Sequence, residues 1–209
     1  AAPGGGLDVD AVVASLTSVG AGDVVLLHGC CHNPTGIDPD RSQWERIVAT
    51  VAERGAVALV DLAYLGLGDG IDEDRIGVSA VLAAGVDAVV CSSFSKNMGL
   101  YRERVGALTI VGRDASAATL AFDQAKAVVR ATYSNPPSFG GQVATRVLTD
   151  ESLRSIWKGE LDALRDRINM LRVELAAAAG EAGIPYLRTV DAERGMFAMT
   201  GLPPTIVSS

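Results

Sequence analysis

Aromatic side chains are scarce, at 5% of 209 residues, so any core must be built mainly from aliphatic groups. A surplus of positive charge is lacking too. The net charge of −7 offers nothing to neutralise a phosphate backbone or an anionic lipid surface, which argues against nucleic acid and membrane as partners. No apolar run approaches the length that crosses a bilayer. The opening AAPGGGLDVDAVV has neither the basic segment nor the apolar core of a secretory signal. Three cysteines, two of them adjacent at Cys30 and Cys31, do not make a disulfide framework. Reduced thiols in a soluble cytoplasmic protein are the expectation. What the chain does have is hydrophobic content, 48% against 21% charged, enough to bury the core of one large domain or of one domain and part of another.

Apolar runs bounded by turn residues predict buried strands at 23–30 (DVVLLHGC), 56–61 (AVALVD), 87–93 (DAVVCSS) and 104–112 (RVGALTIVG). Between them, Trp44, Ile47, Val48 and Val51 follow helical spacing, and Ser42 and Glu45 have the spacing of a capping box. VSAVLAAG (78–85) reads as a second crossover helix. Strands alternating with helices imply a parallel, doubly wound α/β layer. The third and fourth strands are separated only by the loop holding Lys96, too short for a parallel crossover, so the fourth is expected to run antiparallel. A helix near 114–131, a turn at YSNPPSFGG and a long helix from about Thr149 to Ala179 complete the pattern. Leu161, Leu164, Ile168, Leu171 and Leu175 form a stripe on that last helix, expected to pack on a neighbouring element or subunit.

Open α/β sheets bind ligands outside the carboxyl ends of their parallel strands. That edge collects Asn33 from HNPTG, Asp61 at the end of the second strand, Tyr64 just after it, and Ser93, Ser95 and Lys96 after the third. Arg104 follows eight residues beyond Lys96. Taken singly, each has an ordinary reading: a solvated lysine, a helix-capping aspartate, a good turn. Their coincidence at one edge is what those readings do not require. The chemistry that fits is an aldehyde cofactor, pyridoxal 5'-phosphate (PLP), held on a lysine in a dry site. Its pyridine nitrogen needs a carboxylate, its ring oxygen needs donors, and its phosphate needs hydroxyls and an arginine. Asp61, Tyr64, Asn33, Ser93 and Arg104 are of these types. HGCCH would place His28, Cys30 and His32 on one side of a strand, but no fourth ligand has zinc-site spacing. GDGIDED (68–74) lacks the spacing of a calcium loop and reads as a solvated acidic turn.

HGCCHNPTGIDPDRSQWERI, DLAYLGLGDG, SSFSKNMGLYRERVGALTIV and YSNPPSFGGQVATRVL, in this order, resemble the class I, fold-type I PLP-dependent aminotransferases, in particular the bacterial aspartate and aromatic-amino-acid group. The similarity runs from about Leu7 to Leu202. It implies Lys96 as the Schiff-base lysine that also moves the substrate α-proton, Asp61 on the pyridine nitrogen, Asn33 and Tyr64 on the ring oxygen, and Ser93 and Arg104 on the phosphate. Asn33 is implied at the substrate as well. Arg130 matches the position that reaches across a homodimer to the side-chain carboxylate of aspartate or glutamate. The implied reaction is ping-pong transfer of an amino group from an amino acid, dicarboxylic or aromatic, to a 2-oxo acid.

The resemblance also implies a PLP-transferase-like large domain, partial here, with a mostly parallel sheet and helices on both faces. A long helix and the start of a small domain follow it. Residues 1–148 would be the C-terminal part of the large domain, and 149–209 the linking helix and the beginning of the small domain. Relatives are longer at both ends, so the chain is expected to be a partial segment lacking the upstream phosphate loop and the C-terminal substrate arginine. Its alternatives are another fold-type I enzyme, a decarboxylase or lyase, or a truncated remnant that only dimerises.

Overall fold

The structure, a computed structural model, describes residues 6–199. The first helix, α1 (Val9–Leu16), begins at Asp8, whose carboxylate accepts the Ala11 N–H at 3.0 Å. Next come β1 (Val24–His28), α2 (Arg41–Glu53), β2 (Val57–Leu62), the single turn α3 (Ile71–Asp74), α4 (Ile76–Ala83), β3 (Ala88–Ser93) and β4 (Gly106–Val111). Beyond the sheet lie α5 (Ala115–Thr132), α6 (Phe139–Thr149) and the 31-residue α7 (Glu151–Glu181), then short 3₁₀ turns at Pro185–Leu187 and Val190–Ala192.

The sheet order is β1-β2-β3-β4, with the first three strands parallel and β4 antiparallel to β3, as its short connection demands. Side chains alternate across the strands. Val25, Ala58, Val60, Ala88 and Val90 therefore share one face, where they pack against Trp44, Ile47, Val48 and Val51 of α2 and Val81 of α4. On the opposite face of the edge strand, Val24 and Leu26 are 61% and 60% exposed. The two crossover helices meet at Gly77, where an added Cβ would lie 2.6 Å from the Trp44 ring. Trp44 is buried and has no room to retreat. Gly77→Ala should therefore cost about 1–3 kcal/mol through overpacking, read as a lower urea midpoint at unchanged slope; an unchanged midpoint would show that the interface gives way.

The structure departs from the sequence reading in several places. The α2 cap is Asp40, not Ser42: the Asp40 carboxylate accepts the Gln43 N–H at 2.9 Å, and Gln43 accepts the Asp40 N–H at 3.0 Å. Ser42 instead donates its hydroxyl to Asp40. Helices α1, α3 and α6 are additional, α3 lying in the acidic segment read as a turn and α6 beginning inside the SFGG segment read as another. The leucine stripe of α7 divides. Leu161 and Ile168 pack in a second core cluster with Tyr64 and Leu67, while Leu164, Leu171 and Leu175 are exposed. The acidic turn is not uniformly solvated, because Asp74 is buried. Its carboxylate accepts N–H groups from Gly66, Gly68 and Asp69 at 2.8 to 2.9 Å and so shapes the loop after β2.

The chain after α7 folds back onto it. Arg172, buried in mid-helix, donates to the carbonyls of Val190, Gly195 and Phe197 and pairs with Glu193 at 3.1 Å. The apolar run GMFAMTGL is described as far as Met199, and its last three residues lie outside the described range.

Candidate functional site

Strand ends position the site. β1 finishes at His28, in register with Asp61 of β2, which pairs in turn with Cys91 of β3. Ala58, Val60 and Leu62 are buried in the core, so alternation turns Asp61 to the other face, where it is half-buried. The loop after β1 is built on Asp38, whose carboxylate accepts the N–H groups of Cys31 at 2.6 Å and His32 at 2.8 Å. His32 Nδ1 and the Thr35 hydroxyl lie 2.7 Å apart, and Asn33 N–H donates to His28 Nδ1 at 3.2 Å. These contacts present the Asn33 amide to the next loop. Its Nδ2 donates to the Tyr64 hydroxyl at 3.3 Å.

Lys96 sits on the turn that follows β3, with Nζ 5.0 Å from the centroid of the Tyr64 ring. That is cation–π range and brings the lysine beside the phenol. Burial pushes the Tyr64 pKa up; the Asn33 amide opposes the shift, and the Asp61 charge adds to it. The phenol is therefore an O–H donor at neutral pH. Burial likewise pushes the Cys91 thiol up, with Asp61 as the further cause. Neither Asp61 nor Lys96 makes an ion pair among the described residues.

Asn33, Asp61, Tyr64 and Lys96 thus come together at the carboxyl edge. Ser93 and Arg104 flank them where β3 and β4 meet. Ser93 pairs with Gly106, and the Phe94 N–H donates to the Val105 carbonyl at 3.1 Å. The Ser93 hydroxyl accepts the Ser95 N–H at 3.2 Å, while the Arg104 guanidinium curls onto the Tyr101 carbonyl at 3.0 Å. Arg104 adopts φ 51, a left-handed conformation uncommon outside glycine. Arg130 stands apart, exposed in the last turn of α5 and without a hydrogen bond or ion pair among the described residues.

Three further contributors escaped the sequence reading. Asp38 orders the Asn33 loop, Asn97 is buried beside Lys96, and Phe197 packs on Tyr64; Ser95, which the sequence already placed at this edge, is buried on the other side of Lys96. Asn97 belongs to the quoted SKN segment, but nothing in that spacing marks it as buried. Phe197 meets the Tyr64 ring edge-on, with centroids 6.1 Å apart.

His28, Cys30 and His32 do not share a strand face, because β1 ends at His28 and Cys31 takes a left-handed φ of 51. Cys30 and Cys31 instead gather with Asp74 in the second core. A hydrogen bond with Cys31 and burial push the Cys30 thiol far up, and both Asp74 oxygens already accept N–H groups. A protonated Cys30 thiol and an occupied carboxylate suit packing better than cation binding.

Residues 1–208 match the family Aminotransferase class I and II. The chain is 45% identical to an aspartate aminotransferase of Escherichia coli over 197 residues, covering 94% of this chain and 50% of that protein. It is 41% identical to an aromatic-amino-acid aminotransferase of Pseudomonas aeruginosa over 203 residues, covering 97% and 51%. Among solved structures, an aromatic-amino-acid aminotransferase from Burkholderia pseudomallei, covalently bound to pyridoxal phosphate, superposes with a TM-score of 0.93 at 40% identity. That superposition covers 98% of this chain and 51% of the other. The chain spans about half the length of the curated relatives it matches.

Proposed function

Since this chain belongs to the class I and II aminotransferase family, we propose that the protein is a PLP-dependent aminotransferase that moves an amino group between an amino acid and a 2-oxo acid. The observation that carries this reading is the meeting of Lys96, Tyr64 and Asn33 at the carboxyl edge of a parallel sheet.

The residues fit the cofactor by their chemistry. Asp61, half-buried with its charge unpaired among the described residues, suits a protonated pyridine nitrogen. Tyr64 and Asn33 bring O–H and N–H donors for the ring oxygen. Ser93 and Arg104 suit the phosphate, Arg104 by turning its guanidinium away from Tyr101. When bound, PLP supplies an aldehyde that condenses with amines and a ring that draws electrons from the substrate α-carbon.

The protein's part is to hold and to move protons. Lys96 would hold the cofactor and, as a free amine, would take the proton from the substrate α-carbon. The Tyr64 phenol stays protonated and donates, and the Asn33 amide orients it.

Aspartate and glutamate, with their 2-oxo acids, are the proposed substrates, together with aromatic amino acids. Relatives named for both kinds support this breadth. Arg130 is assigned to the side-chain carboxylate, across a homodimer. Its exposure on α5, without a hydrogen bond or ion pair among the described residues, is what favours a role in the neighbouring subunit. Arg130→Ala should raise KM for aspartate about 10- to 100-fold while leaving KM for phenylalanine near its original value. Equal effects on both substrates in steady-state assays would remove Arg130 from specificity.

Residues 1–148 are assigned to the large domain and 149–209 to the linking helix and the start of a small domain. The break at Asp150, which ends α6 and caps α7, supports that division. Free Cys30, Cys31 and Cys91 favour a reducing compartment, and the cytoplasm is the proposed location. No described helix is long and apolar enough to cross a membrane.

The deciding experiment adds PLP to the protein, records the visible spectrum, and then supplies aspartate with 2-oxoglutarate. Glutamate and oxaloacetate should form together. Release of carbon dioxide without a new 2-oxo acid would move the protein to another PLP reaction.

A further inference from the structure

We infer that Asn97 and Trp157 are positioning residues for Lys96, pinning the chain immediately after the lysine against both α7 and the Tyr64 loop. This deepens the aminotransferase reading and rests on Lys96 being its reactive amine. Lys96 lies on a turn outside the sheet ladder. The turn's own bonds are local: Met98 N–H to the Phe94 carbonyl at 3.3 Å, and Gly99 N–H to the Lys96 carbonyl at 3.2 Å. Such bonds fix the shape of a turn but not its position over Tyr64.

Two long-range bonds fix the position. The Trp157 indole N–H, from α7, donates to the Asn97 carbonyl at 2.7 Å. The Asn97 side chain donates through Nδ2 to the Leu65 carbonyl at 3.2 Å, one residue beyond Tyr64. The residue next to Lys96 is thereby tied to a long helix on one side and to the phenol-bearing loop on the other. The 5.0 Å separation of Lys96 Nζ from the Tyr64 ring is held by this pair of ties.

The composition of the contact points the same way. Asn97 is 7% exposed, and its Oδ1 is buried with no partner among the described residues. An orphaned buried acceptor is costly, and leucine, of similar size, would avoid it. Packing alone therefore does not favour asparagine here; the Nδ2 donor does. Trp157 packs against the second core cluster, where a phenylalanine could supply most of the apolar contact but not the N–H.

The test uses Trp157→Phe and Asn97→Leu, each checked for folding by its thermal midpoint. In cofactor-free protein, the rate at which an amine-acetylating reagent modifies Lys96 is followed by mass spectrometry. In PLP-loaded protein, the pH midpoint of the visible band that depends on Lys96 is measured. Each variant should change the Lys96 labelling rate by about fivefold, the effect of one hydrogen bond, and displace the pH midpoint. Kinetically, kcat should fall while KM changes little. Labelling rates and pH midpoints equal to those of the unaltered protein in both variants would overturn the positioning role, even if stability had changed. Should one variant fail to fold, the other decides. Absence of a band in the unaltered protein would count against the aminotransferase reading, while the labelling rates would still decide the role of Asn97 and Trp157.

Discussion

Lys96→Ala should abolish the visible band formed with PLP and lower amino transfer by about 10⁴-fold or more. Proton transfer by a placed side chain is worth about 10²- to 10⁴-fold on its own, and the same amine is proposed to hold the cofactor as well. Among the described residues no neighbouring amine takes over: the ends of β1 and β2 bring Asn33, Asp61 and Tyr64 to the site, none of which carries one. The fold should tolerate the change, because Lys96 is half-buried and makes no ion pair among the described residues. The thermal midpoint should therefore stay within a few degrees of the original, separating lost chemistry from lost structure. A visible band of undiminished intensity in Lys96→Ala would place the reactive amine elsewhere and undo the assignment.

The second large effect is on stability. Asp74→Ala removes the common acceptor of three backbone N–H groups, those of Gly66, Gly68 and Asp69. Each buried donor left without a partner costs about 1–3 kcal/mol, so a loss of about 3 kcal/mol or more is expected. Part of that loss is recoverable by water, since Asp69 is exposed. Asp74→Asn should lose less, because one carboxamide oxygen still accepts while the NH₂ faces donors. Urea unfolding measures both variants. A loss under 1 kcal/mol for the alanine variant would show that the loop does not depend on this carboxylate. The effect should reach the site as well, because Gly66 lies two residues beyond Tyr64. Slower cofactor uptake is the expected sign.

The three parallel strands were legible because strands covered by crossover helices need long apolar runs; β4, read as buried as well, is antiparallel and exposed over Gly106–Thr109. The direction of β4 followed from a connection too short to cross the sheet. The gathering of Asn33, Asp61, Tyr64 and Lys96 at one edge was legible because residues just past the ends of parallel strands share that edge. Other features depended on which of two similar groups won. Asp40 and Ser42 can both cap a helix; Asp40 has Gln43 at the position that returns the bond. Asp74 was hidden in an acidic run because burial depends on the turn that folds over it, not on local composition. Helix α6 was hidden by its glycines, one of which, Gly140, packs closely on Glu103 and Val105. Trp157 and Asn97 are 60 residues apart, and no local pattern joins them.

Arg172 has a consequence for motion. Its guanidinium fills the carbonyls of Val190, Gly195 and Phe197 at once, from the middle of α7. None of these bonds can be released by a small local fluctuation without exposing the buried cation. The segment from Val190 to Phe197 should therefore detach all together or not at all, and hydrogen exchange should report one shared opening for its protected amides. Phe197 rests on Tyr64, so each such opening also bares one side of the phenol.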